Sequence, residues 1–105
     1  MNCSNNIINN NNGNGVNHVS ILRGIYALSP LHETGNYNNN SITVKGGGTT
    51  SEVSGMNINV GNGSAIATIV NINENNITGN YLTTTTGNFQ AIYSNSTVSN
   101  LNIQN

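Results

Sequence analysis

Residues 64–80 read SAIATIVNINENNITGN and residues 90–105 read QAIYSNSTVSNLNIQN. Laid on each other at an offset of 26, the two stretches coincide at their apolar positions. Ala65 falls on Ala91, Ile66 on Ile92, Ile72 on Val98 and Ile77 on Ile103, while Asn76 falls on Asn102. Ile69 breaks the match by meeting Asn95. A third copy begins at Gly24 with GIYALS, which is similar to QAIYSN, and reaches Asn40, Ser41 and Ile42 after a longer gap. That gap contains PLHETGN and the only proline, Pro30, so a loop insertion is expected near 30–38. A partial fourth copy, NNIINNNN at 5–12, sets Asn6, Ile7 and Asn10 in the places of Asn76, Ile77 and Asn80.

The apolar residues stand singly or in pairs between Asn, Thr, Ser and Gly, and they do not recur at the i, i+3, i+4, i+7 spacing of a helix face. Short strands joined by corners rich in Asn and Gly are expected instead. Asn makes up about a quarter of the chain. It tolerates the left-handed backbone of tight corners, and its amides can stack in ladders along successive coils. The expectation is an all-β parallel β-helix, or β-solenoid, of about four coils over 1–105 as a single segment, incomplete or uncapped. In its bland alternative, a low-complexity Asn tract, the chain is disordered or aggregation-prone.

GIY, SAI or QAI, followed by Asn-Ile with a further Asn as in NITGN and NIQN, resembles the right-handed parallel β-helix repeats of the pectin-lyase-like superfamily. The resemblance covers most of the chain. It implies the fold and not a reaction, because such repeats occur in polysaccharide lyases and hydrolases, in phage and viral tailspikes, and in bacterial surface proteins.

Charge restricts function. Arg23, Lys45, Glu33, Glu52 and Glu74 are the only charged residues, with no Asp and a net charge of −1. Two basic residues cannot neutralise a run of phosphates, so nucleic-acid binding is not expected, nor is attraction to an anionic membrane. No apolar run is long enough for membrane insertion. Cys3 stands alone, which rules out an internal disulfide. The five Asn-x-Ser/Thr sequons, at Asn2, Asn39, Asn62, Asn76 and Asn95, are the number this composition gives by chance.

Candidate chemistry is sparse. Glycoside hydrolysis needs two carboxyl groups at a set separation, and the three Glu are scattered. Calcium needs several acidic oxygens, and zinc needs Cys or acidic partners that His18 and His32 lack, so no metal or cofactor is expected. Arg23 and Lys45 beside predicted strands, with His18, His32 and Tyr26, are the residues that could compose a proton-abstracting site, although isolated solvated charges are the simpler reading. NNGNGVN and KGGGTTS lack a phosphate-loop pattern, and the TTTT run at 83–86 does not recur at the repeat offset. Tyr26 and Tyr93 each follow the first Ile of a repeat, so strand alternation sets both on the outer side. There they could stack on sugars.

The reading is a non-catalytic structural or glycan-facing segment of a surface, fibre or spike protein, outside the cell or on a virion if it belongs to a longer exported chain. Its expected partners are a polysaccharide through Tyr26 and Tyr93, and other copies or neighbouring coils through its ends. A fragment of a polysaccharide lyase or other carbohydrate-active β-helix enzyme is the alternative.

Overall fold

The computed structural model describes residues 1–10, 20–29, 33–46, 50–61, 68–81 and 87–105, and all of its regular elements are strands. They are β1 (Ile7–Asn9), β2 (Leu22–Ser29), β3 (Thr34–Asn36), β4 (Ser41–Gly46), β5 (Val53–Val60), β6 (Ile69–Asn73), β7 (Asn76–Tyr81), β8 (Phe89–Ser94) and β9 (Asn100–Gln104). Three parallel three-stranded sheets result, ordered β1-β4-β7, β2-β5-β8 and β3-β6-β9. The chain therefore visits the three sheets in the same order three times. Parallel pairing requires the chain to return to the same end before each new strand, and here the other two sheets supply the return path.

Strand alternation, together with this stacking, makes columns of like residues. Ile8, Ile42 and Ile77 occupy one inward column, and Ile25, Met56 and Ile92 another. The middle pass is covered on both sides, so Ile42, Val53, Met56, Ile58, Val60 and Val70 are fully buried. In the third pass Ile103, stacked on the buried Ile72, keeps half its surface exposed. Burial here depends on having a neighbour above as well as below.

The corner entering the first sheet repeats in all three passes. Asn5, Asn39 and Glu74 hold it with φ of 61, 57 and 54°. Asn adopts this left-handed backbone readily, because its short amide bonds locally, whereas Glu bears the full steric cost. Glu74→Gly is accordingly expected to stabilise the protein by ~1 kcal/mol, and Asn39→Gly to change little; urea unfolding of both variants checks the pair.

Behind the corner lies the expected amide ladder. The Asn6 Nδ2 donates to Asn40 Oδ1 at 2.9 Å, and Asn40 Nδ2 donates to Asn75 Oδ1 at 2.9 Å. Backbone groups lock the stack, since Asn6 N–H donates to Asn40 Oδ1, Asn40 N–H to Asn75 Oδ1, and Asn40 Nδ2 to the Cys3 carbonyl. A second ladder climbs the third sheet at the surface. Asn102 Nδ2 donates to Asn71 Oδ1, and Asn71 Nδ2 donates to Asn36 Oδ1, both at 2.8 Å.

The 26-residue register is corrected. Ile72 pairs with Ile103, 31 residues on, Ile77 pairs with Ile42, 35 residues back, and Ile92 pairs with Met56, 36 residues back. Val98 packs partly buried against the core and does not stack on Ile72 in a strand ladder; Ile66 lies outside the described residues. The 26-residue match had laid NIT of β7 on NIQ of β9, which belong to different sheets. With the longer repeat, the described strands make three passes where four coils were expected.

The segment expected to protrude near 30–38 contains β3, which pairs with β6, and Tyr37, which is buried; Pro30 itself lies outside the described residues. In β1 the inward residue is Ile8 and not Ile7, which is 87% exposed. A slip of one residue reverses the face a side chain presents, and adjacent isoleucines leave the sequence without a means of choosing.

Candidate surface groove on the second sheet

The second sheet carries the largest concentration of aromatic and charged groups among the described residues. Its register places Tyr26, Asn57 and Tyr93 in one outward column. Tyr26 is 51% exposed and Tyr93 37%, whereas Asn57 between them is 5% exposed. A groove of about 340 Å³ runs along this column, bordered by Asn59, Asn88 and Gln90, with Arg23 and Glu52 at one side.

Arg23 and Glu52 form the one ion pair of the described residues. The guanidinium binds the carboxylate through two bonds, Nε to Oε1 and Nη2 to Oε2, each 3.1 Å. The paired geometry matches the planar fork of Arg to the carboxylate. Ser54 Oγ donates to Oε1 at 2.7 Å and Asn57 Nδ2 at 3.0 Å, so Glu52 also pins the floor of the groove. The Arg23 guanidinium lies 4.4 Å from the centroid of the Tyr26 ring and covers one ring face. A chain of contacts thus runs from Asn57 through Glu52 and Arg23 to Tyr26.

These contacts set the protonation state. The hydrogen bonds from Arg23 hold the Glu52 carboxyl down at about 2 against partial burial, with Asn57 and Ser54 assisting. The hydrogen bond to Glu52 likewise raises Arg23. Glu52 therefore stays ionised across the ordinary pH range, with its oxygens engaged. It suits neither the proton-donating nor the proton-accepting role of a catalytic carboxyl.

A depressed carboxyl pKa stabilises the fold above its unfolded value and loses that contribution as pH falls through the folded value. Thermal stability should therefore drop between about pH 4.3, the unperturbed Glu value, and pH 2. Glu52→Gln should be less stable than the wild-type protein at neutral pH, with the difference shrinking over that interval. An undiminished gap at pH 2 would sink the assignment.

Both tyrosines chosen from the sequence thus stand on one face, flanking the middle strand. The proton-abstracting set does not assemble as a whole: Arg23 and Tyr26 meet, but Lys45 belongs to β4 in the first sheet, and His18 and His32 lie outside the described residues. Glu52 and Asn57 were missed. Their signal exists only at the true repeat, where Arg23 pairs with Ser54 and so comes close to Glu52.

No protein-family model, curated protein or solved structure matches the chain. Its groove must be interpreted from its own chemistry. The aromatic column offers apolar ring faces, the border offers amides, and the only charges present are already joined to each other.

Proposed function

We propose that this chain is a parallel β-helix segment with a structural, non-catalytic role in a surface, fibre or spike protein, and that its second sheet faces a glycan. The single observation carrying this reading is the Tyr26–Asn57–Tyr93 column on a sheet built in register over three passes. Such a sheet is rigid, because each strand is bonded to its neighbour, and rigid aromatic faces lose little entropy on meeting a ligand. The β-helix and its kinship with pectin-lyase-like repeats are supported by three parallel sheets visited in constant order.

Stacking against further coils or a second copy is part of the proposal. Leu101 and Ile103 of β9 are inward in register yet exposed, and no described strand lies beyond β7, β8 or β9. Unpaired strand edges of this kind are templates for another strand.

Incubation with a panel of neutral and anionic polysaccharides tests the non-catalytic role. Polymer length should remain unchanged. Release of unsaturated ends would overturn the proposal in favour of a lyase fragment.

A further inference from the structure

We infer that the groove on the second sheet takes an uncharged glycan, lying across Asn57 with one sugar ring against Tyr26 and another against Tyr93. The inference rests on the glycan-facing reading above and adds the class of ligand and its placement. Tyr26 and Tyr93 are separated by one intervening strand, so their backbones lie two strand spacings apart, roughly 9.6 Å. That separation suits two rings of one short oligosaccharide. Asn57, small, buried and held by Glu52, leaves the floor between them low.

The ligand class follows from charge. An acidic sugar needs an available cation, but the groove's one cation is Arg23. Its fork is bonded twice to Glu52 and its flat face lies on Tyr26. A carboxylated sugar would have to displace Glu52 or lie beside its negative charge. A cationic sugar meets the converse obstacle, since Glu52 already accepts bonds from Arg23, Ser54 and Asn57. Hydroxyl groups need no counter-charge. Each amide has two donor hydrogens and two acceptor lone pairs, and Asn59, Asn88 and Gln90 set three amides along the border. Arg23 also steadies the Tyr26 ring by covering one of its faces.

The test is an NMR titration of the full chain, isotopically labelled, with neutral oligosaccharides (gluco-, xylo- and chito-oligomers) and with oligogalacturonate as the anionic probe. The expected result is a set of shifts centred on Arg23, Tyr26, Asn57, Gln90 and Tyr93 with at least one neutral probe. Binding should weaken by about tenfold in Tyr93→Ala and persist in Tyr93→Phe, which retains the ring. Wild-type-like spectra of both variants away from the groove establish that each is folded. Tighter binding of oligogalacturonate in the groove would overturn the uncharged class while leaving the glycan-facing reading intact. No response to any probe up to its solubility limit would overturn both. A neutral probe that binds equally well to Tyr93→Ala would overturn the proposed placement.

Discussion

Asn40→Leu should remove a large part of the protein's stability, although leucine is close to asparagine in size and more apolar. Asn40 is 1% exposed, and its amide serves Asn6, Asn75 and the Cys3 carbonyl simultaneously. A leucine takes the acceptor from the Asn6 N–H and Nδ2 and the donor from the Cys3 carbonyl, while Asn75 Oδ1 keeps only the Asn40 N–H. Each buried polar group stranded this way costs about 1–3 kcal/mol, so a loss on the order of 5 kcal/mol is expected from three of them, against a typical total of about 5–15 kcal/mol. Asn71→Leu offers the contrast. Its amide also joins two ladder bonds, but toward the surface where water can replace them, so its cost should be ~1 kcal/mol. Urea unfolding of the two variants measures the difference, and equal losses would show that the inner ladder has no special weight.

Gly55→Ala should be almost as damaging for a steric reason. A Cβ on Gly55 would meet the Ile77 Cγ2 from the first sheet and stand 2.7 Å from the Ala91 carbonyl oxygen. The isoleucine could turn aside, but the carbonyl belongs to the neighbouring backbone of β8. Gly24 is in the same position one pass earlier, with a virtual Cβ 2.6 Å from the Gly55 carbonyl oxygen. Ala91, the next residue in this series, has no described strand beyond it and carries its methyl group. Overpacking costs about 1–3 kcal/mol, and Gly55→Ala belongs at the upper end because backbone must move. Ala91→Gly, in contrast, should cost only ~0.5–1 kcal/mol through chain entropy. Thermal unfolding of both distinguishes them, and a Gly55→Ala protein as stable as its parent would contradict the close approach.

The all-β class and the use of Asn were legible because each depends on a local property. The left-handed corners at Asn5 and Asn39 and the ladders through Asn40 and Asn71 are what the amide side chain favours. The similarity of GIYALS to QAIYSN was also sound, since Ile25 and Ile92 flank Met56 in one column and Tyr26 and Tyr93 flank Asn57. The repeat length was not legible. An isolated Ile within two residues of an Asn occurs in the first sheet at Ile42 and Ile77 and in the third at Ile72 and Ile103. Comparison of the chain with itself cannot distinguish a return to the same sheet from arrival at the next one. The middle copy hid the period further, because its counterpart of GIY is GMN, in which only Gly55 is unchanged from Gly24.

The site was divided by the same ambiguity. Tyr26 and Tyr93 could be found from alternation alone, which needs no knowledge of the partner strand. Glu52 could not, because its contact with Arg23 crosses between passes. Contacts within a strand are written in the order of the residues, whereas contacts between passes require the number of residues in a full circuit.

The two amide ladders point in opposite directions. In the inner one, donors face the later pass, from Asn6 to Asn40 to Asn75; in the outer one they face the earlier pass, from Asn102 to Asn71 to Asn36. Their side-chain dipoles therefore oppose each other along the stacking direction. An α-helix accumulates partial charge at its ends because all its peptide dipoles point one way. In a stack built from this pair of ladders, additional passes lengthen both rows together, so growth adds no corresponding electrostatic penalty at either end.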